Sequence, residues 1–370
     1  MTRIMTIALL TLGDPGRLTG GYLYHQRLAR LAPRHDSRIA FVSFPDRPFP
    51  LAALAAPAVL GRSRALGAHV LVLDSIAAAF LGPWLAIRRP ALPLVGMLHQ
   101  PPGGIDHGPL RTAVQARLDR LAYRLTRRLL VASESLADDL LAEGVPRARL
   151  RVVPPGRDVA GSAGPPGRDV AGSAGPPPGD LRHGRQAALL CVANWVERKG
   201  IHSLLDAFAR LPSDVATLHL AGDDRADPAY AAQLRARLAR PDLTGRVVVH
   251  GPLSLERVAA LYQAADAFVL PSLKEPYGTV YGEAMTYGLP VVGWRAGNLP
   301  YLADHDREGL LVAPGDVLGF SGALLRLATD ASLRARLGAA ARARALARPT
   351  WEESGALFFA AVREAADGSR

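Results

Sequence analysis

Short apolar runs bounded by turn residues alternate with helix-patterned segments along the whole chain, and the alternation restarts halfway. The runs TIALLTL, SRIAFVSF, AHVLVLD, PLVGMLH, RRLLVAS and LRVVPPG mark the first half, and ALLCVAN, VATLHLAG, RVVVHGP, AFVL, LPVVGW and GLLVAPGD the second. Runs of four to eight apolar residues without strict alternation read as strands buried on both faces. Strands separated by helical segments imply a parallel sheet covered by helices. The fold class is therefore α/β, and 370 residues suit two such domains better than one.

The boundary is written in the sequence. PPGRDVAGSAG, residues 154–164, is repeated without change as residues 165–175 and followed by PPPGD. Two copies are too few for a solenoid, and Pro, Gly, Ala and Ser offer little to bury, so this reads as a lengthened linker. The expected layout is an N-terminal domain over 1–153, a linker over 154–185, a C-terminal domain over 186–349, and a final helix over 350–370 that can pack back on the first domain.

The stretch from Phe268 to Met285, FVLPSLKEPYGTVYGEAM, carries the densest chemistry. A buried strand ends at Pro271 and Ser272, a turn brings Lys274, Glu275, Tyr277, Gly278 and Thr279, and a helix containing Glu283 begins. Ligands of open α/β sheets bind outside the carboxyl ends of strands. Backbone N–H groups at a helix start favour an anion such as a phosphate, and a carboxylate beyond it can accept hydrogen bonds from sugar hydroxyls. Two acids beside a helix start also fit a capped, solvated helix, so the rest of the chain has to decide.

Other positions bear on that choice. Of 44 basic residues only Lys199 and Lys274 are lysine, and both fall in turns; a compact ammonium fits against a phosphate where a planar guanidinium does not. Lys199 precedes the amphipathic helix IHSLLDAFARL. Near the N-terminus a strand is followed by Gly13, Gly16, Gly20 and Gly21 and then by a helix from Tyr22, a loop that lets backbone approach a phosphate but matches neither G-x-G-x-x-G nor a P-loop. His99 stands at the carboxyl end of its strand, either as a satisfied loop residue or as a substrate contact.

Composition excludes several classes. The net charge of +11 comes from dispersed arginines without interleaved aromatics, which argues against nucleic acid; attraction of basic helical faces to anionic lipid stays open. A single cysteine, Cys191, rules out an internal disulfide framework and fits a reducing compartment. The N-terminal run has no small-residue cleavage site after it and reads as a first strand. No uninterrupted apolar stretch reaches bilayer length. Asp223-Asp224 and Asp304-His305-Asp306 read as loop acids, and no metal site is expected.

Taken together, AGDD, HGPLS, LYQAADAFVLPSLKEPYGTVYGEAMTYGLPVVG and GLLVAPGD resemble the GT-B glycosyltransferases of retaining family 4, the group with glycogen synthase-like and mannosyltransferase-like members. Glu275 and Glu283 match its E-x7-E motif. The resemblance implies two Rossmann-like domains whose parallel sheets face an interdomain cleft, and metal-independent transfer of a sugar from a nucleoside-diphosphate sugar to a hydroxyl acceptor with retention, without a cofactor. It gives Glu275 the sugar hydroxyls, Glu283 the ribose, the N–H groups of Tyr277, Gly278 and Thr279 the sugar or diphosphate, Lys199 the diphosphate charge, Gly20 and Gly21 the closing phosphate loop, and His99 the donor sugar near the acceptor. Where many members have Gly-Arg about five residues before the lysine, this chain has Ala193-Asn194; Arg198 is the nearest other cation. A cytoplasmic enzyme, in reach of the inner membrane face, is expected. A non-catalytic sugar-nucleotide-binding subunit and an epimerase or phosphorylase on the same architecture are the alternatives.

Overall fold

The computed structural model describes residues 4–16, 20–88, 90–157 and 179–368. Most of the duplicated Pro/Gly segment, residues 158–178, therefore lies outside the described residues. The chain divides into two compact units, one of Met1–Arg168 with Pro349–Arg370, the other of Asp169–Arg348.

Unit 1 runs β1 (Met5–Leu12), α1 (Gly20–Leu31), β2 (Ser37–Phe44), α2 (Ala56–Ala65), β3 (Val70–Asp74), α3 (Ala78–Ile87), β4 (Leu94–Leu98), α4 (Pro109–Arg124), β5 (Arg128–Val131), α5 (Glu134–Ala142) and β6 (Leu150–Val152). Its six strands pair in the order β2-β1-β3-β4-β5-β6, all parallel. The apolar runs form these strands because both faces are covered: β3 and β4 are buried along their whole length. Ser133 caps α5, its hydroxyl accepting from the Leu136 N–H at 3.2 Å.

Unit 2 runs β7 (Ala187–Val192), α6 (Ile201–Ala209), β8 (Ala216–Ala221), α7 (Pro228–Leu238), β9 (Val247–Gly251), α8 (Leu255–Ala264), β10 (Ala267–Leu270), α9 (Thr279–Thr286), β11 (Val291–Trp294), α10 (Leu299–Leu302), β12 (Gly309–Val312), α11 (Val317–Thr329) and α12 (Ala331–Leu346). Its strands pair in parallel in the order β12-β11-β10-β7-β8-β9. The strand order reverses between β1 and β3 in unit 1 and between β7 and β10 in unit 2. At such a reversal neighbouring crossovers leave to opposite faces, and a crevice opens at the carboxyl ends.

The last helix, α13 (Trp351–Asp367), belongs to unit 1. Thr350 and Glu353 cap it reciprocally, the Glu353 N–H donating to the Thr350 hydroxyl and the Thr350 N–H to the Glu353 carboxylate. Phe358, Phe359 and Val362 share one core with Ile7, Leu9, Leu28, Val70 and Val95, so α13 covers one face of the first sheet. His35 stacks on Phe359 with ring centroids 4.7 Å apart. Among the described residues no helix is long and apolar enough to cross a membrane.

Phe358 is fully buried. Phe358→Ala is expected to lower the unfolding free energy by about 3–5 kcal/mol, read by urea denaturation. A change under about 1 kcal/mol would mean that α13 is not part of the unit 1 core.

Candidate active site

In unit 2 the crevice is built by two turns that lock together. After β7 the chain passes Asn194 and Trp195 into a 3-10 turn, Glu197–Lys199, and Gly200 caps α6 in the left-handed region at φ 67°. A Cβ on Gly200 would lie 2.2 Å from the Pro271 carbonyl oxygen, so only glycine fits here. From the other side the Leu273 N–H donates to the Arg198 carbonyl at 2.9 Å, and the Ser272 hydroxyl oxygen lies 3.1 Å from the same carbonyl. The residue after this turn, Glu275, accepts on its carbonyl from the Asn298 N–H at 2.9 Å. Gly297 packs so closely on it that an added Cβ would lie 2.8 Å from the Glu275 nitrogen.

The Glu275 side chain is nearly buried, and its Oε1 faces three donors. Lys199 Nζ forms an ion pair with it, the Ser272 hydroxyl donates at 3.0 Å, and Arg198 Nη1 lies 3.5 Å away. Arg198 Nη1 also donates to the Lys274 carbonyl at 3.1 Å, whereas the Lys274 side chain is exposed. Three residues on, Gly278 caps α9 at φ 80°. The first N–H groups of α9 have no partner within the helix and carry the positive end of its dipole. Tyr277 is held beside them: its hydroxyl accepts from Arg348 Nη2 at 2.7 Å, and its carbonyl from Asn298 Nδ2 at 2.7 Å. Thr279 and Glu283 are exposed on α9, and Glu283 Oε2 accepts from the Tyr262 hydroxyl at 3.3 Å. Glu275, Lys199 and Arg198 thus share one cluster, with the α9 start next along the chain.

Asn194 is engaged elsewhere. Its Oδ1 accepts from the Asp223 N–H at 3.2 Å, bracing the loops that leave β7 and β8. Ser272, Asn298, Arg348 and Tyr262 were not singled out from the sequence. Their roles depend on loops folding back over long sequence separations, and only Ser272, at the strand end, carried a signal.

In unit 1 the carboxyl ends of β1, β3 and β4 meet α1. Gly20 and Gly21 open α1, where the sequence reads as loop up to Tyr22; residues 17–19 lie outside the described residues. Two glycines argue against helix, but propensity is a weak prior that the packing of Tyr22, Tyr24 and His25 overrides. A Cβ on Gly21 would touch the His99 ring at 3.7 Å. His99 Nε2 in turn lies 3.0 Å from His25 Nε2, and His25 Nδ1 lies 3.7 Å from Asp74 Oδ2. Burial pushes His25 down to about 3. It pushes His99 down to about 4, the nearby His25 adding to the shift and Asp74 opposing it. Burial raises the Asp74 carboxyl. Asp74 ends a strand as His99 does, so the same strand-end rule applied to VLVLD was the missed signal.

The expected loop acids are spoken for: Asp223 pairs with Arg225, Asp224 with Arg235, and Asp304 with Arg344. Among the described residues, His25, Asp74 and His99 form the group whose geometry could hold a metal ion, their donor atoms lying within 4.8 Å of one another. No metal site was expected there because its members come from three distant segments.

Paired Rossmann-like units, each with polar residues gathered at the reversal of its strand order, define an α/β protein with crevices of the kind in which such sheets hold their ligands. Residues 7–160 match the model of Glycosyltransferase Family 4 and residues 186–330 that of Glycosyl transferases group 1, and the chain belongs to this glycosyltransferase family. It is 30% identical over 295 residues to a D-inositol 3-phosphate glycosyltransferase of Xylanimonas cellulosilytica, covering 75% of this chain and 67% of that protein. It is 34% identical over 149 residues to the lipopolysaccharide core biosynthesis glycosyltransferase LpsE of Rhizobium meliloti, a match spanning 40% of this chain and 42% of that relative. Among solved structures, sucrose-phosphate synthase from Thermosynechococcus elongatus superposes with a TM-score of 0.79 at 21% identity, covering 99% of this chain and 100% of that one. Anabaena HepE in complex with UDP-glucose does so with a TM-score of 0.74 at 20% identity, covering 98% and 99%. The GT-B fold is thereby shown, and the chain is a member of a glycosyltransferase family.

The loop after His99 is tied to α4 by a buried acid. Asp119 Oδ2 accepts from the Gly103 N–H at 2.8 Å, while Oδ1 is buried without a hydrogen-bond partner. Burial pushes its carboxyl up to about 7, against the opposing pull of the Gly103 N–H. Between about pH 4 and pH 7 the unfolded chain has released this proton while the folded chain keeps it, so stability falls as pH rises through that window. The expected loss is at most about 4 kcal/mol. Asp119→Asn should remove that slope in denaturation curves taken from pH 4 to pH 8; an unchanged slope would show that Asp119 ionises normally.

Proposed function

We propose that unit 2 binds the nucleoside-diphosphate end of a UDP-sugar and that the protein transfers the sugar, with retention, to a hydroxyl of an acceptor recognised by unit 1. The observation that carries this reading is the Lys199–Glu275 ion pair at the reversal of strand order, next along the chain to the start of α9. Without ligand the two charges neutralise each other. A diphosphate offers Lys199 a stronger partner, which frees Glu275 to accept hydrogen bonds from sugar hydroxyls.

As the bond from the sugar to the diphosphate breaks, negative charge grows on the leaving phosphate and positive charge on the sugar. Lys199, released from Glu275, and the N–H groups at the start of α9 are the donors that stabilise this growing charge. Arg198, drawn into the same cluster by the Lys274 carbonyl and Glu275, supplies the second cation that Asn194 does not. The acceptor hydroxyl loses its proton to the departing phosphate oxygen, and the new glycosidic bond forms on the face the phosphate leaves. Glu283, exposed on α9, holds the ribose hydroxyls. His99, which follows β4, contacts the donor sugar near the acceptor. The UDP nucleotide is supported by the UDP and UDP-glucose complexes of Anabaena HepE. A single buried cysteine, Cys191, suits a cytoplasmic setting, and a basic chain suits an anionic or lipid-linked acceptor.

Lys199→Ala is expected to lower turnover by about 10²–10³-fold. Because it also leaves Glu275 unpaired in a nearly buried site, Lys199→Ala/Glu275→Gln serves as the control: it should recover the melting temperature but not the activity. Wild-type transfer rates in either variant would sink the assignment. Glu283→Ala should weaken UDP binding in calorimetry, and an unchanged affinity would argue against the ribose role.

A further inference from the structure

The polar cluster in unit 1 has an internal direction. Two imidazoles that meet Nε2 to Nε2 at 3.0 Å need one N–H and one lone pair between them. Which ring donates depends on what faces the other nitrogen of His25. That atom, Nδ1, is buried with no hydrogen-bond partner, and the Asp74 carboxylate is 3.7 Å away. At this distance there is no hydrogen bond, but an anion still favours the tautomer that points an N–H toward it.

Asp74 itself cannot easily turn away. Its Oδ2 accepts from the Thr11 hydroxyl at 3.0 Å, and its Oδ1 accepts from the Ser75 hydroxyl at 3.3 Å and the Ile76 N–H at 3.4 Å. The Ser75 hydroxyl oxygen also accepts from the His99 N–H at 3.3 Å, so the carboxylate and the backbone of His99 belong to one network. The rings are packed as well: Tyr24 meets His99 edge to face at 4.9 Å, and Tyr22 and Tyr24 both meet His25 edge to face.

We propose that Asp74 and His25 are positioning residues that fix His99 as the Nε2–H tautomer, leaving its Nδ1 as a bare acceptor for a substrate hydroxyl. Asp74 holds a hydrogen on His25 Nδ1; His25 Nε2 is then a lone pair; His99 must donate to it from Nε2. Among the described residues His99 Nδ1 has no hydrogen-bond partner. A fixed acceptor recognises one hydroxyl and rejects the analogue that lacks it. Both rings are held neutral by burial, which keeps the tautomer question real at neutral pH. A bound cation is the competing use of these side chains, whose donor atoms lie within 4.8 Å of one another, and metal loading is one of the outcomes of the test.

The inference rests on the reading of His99 as a substrate contact only for its consequence, not for its test. The test is the long-range ¹H–¹⁵N correlation spectrum of histidine-labelled, substrate-free protein at neutral pH, with His25→Gln and His99→Gln assigning the signals. His25 should appear as the Nδ1–H tautomer and His99 as the Nε2–H tautomer. In Asp74→Asn an amide can be donated to His25 Nδ1, and both tautomers should reverse. With a working donor and acceptor, that variant should lose about 10²-fold in kcat with the donor KM unchanged. A wild-type spectrum with His25 as Nε2–H, unchanged tautomers in Asp74→Asn, or a stoichiometric metal ion bound to both rings would overturn the proposal. The spectrum needs no transfer reaction, so a protein that transfers sugar with the wrong tautomers sinks the positioning alone, and one with the right tautomers but no transfer sinks the proposed function alone.

Discussion

A nearly buried carboxylate between two cations is an expensive thing to build, and the crevice of unit 2 is arranged around one. Glu275 is taken out of water, and its pairing with Lys199 and Arg198 at best roughly offsets that desolvation. A leucine or methionine there would serve stability as well. The surrounding backbone nevertheless holds the acid firmly. Gly200 sits on the Pro271 carbonyl with no room for a side chain, Gly297 sits on Glu275 itself, and the Arg198 carbonyl receives the Leu273 N–H from the opposite turn. Such fixed geometry around charges of little net stabilising value is what a binding site for a charged, hydroxyl-rich ligand requires.

The two units solve one problem with different side chains. Each brings the carboxyl ends of parallel strands to the point where the strand order reverses, which leaves a crevice free of crossover helices. Unit 2 fills its crevice with full charges that can exchange partners. Unit 1 fills its own with neutral imidazoles and one carboxylate, tied to Thr11 and Ser75. Charges suit a diphosphate; a hydrogen-bonded network of fixed direction suits hydroxyls.

Much of this was legible before the structure. Buried parallel strands write themselves as continuous apolar runs, so SRIAFVSF and AFVL mark β2 and β10 to the residue. Glu275, Lys199 and Glu283 stood out because they adjoin strand ends or helix starts. The Lys199–Glu275 pair itself was not legible, since 76 residues separate its members and only the order of strands β7 and β10 makes them neighbours. The triad of unit 1 was hidden for the same reason. Asn194 shows another limit: its Oδ1 accepts from the Asp223 N–H, a brace between the loops after β7 and β8 that no local pattern announces. At the start of α1, Gly20 and Gly21 mislead because local propensity cannot see the packing of the next turn.

The central claim is that Lys199 and Glu275 exchange each other for a donor's diphosphate and sugar. A crystal structure of the protein with an uncleaved UDP-sugar analogue tests it directly. The account predicts Lys199 Nζ at about 2.8 Å from a phosphate oxygen, with Glu275 turned onto sugar hydroxyls and α9 pointing its first N–H groups at the diphosphate. A bound donor whose diphosphate lies away from Lys199, with the Lys199–Glu275 pair intact beside it, would contradict it.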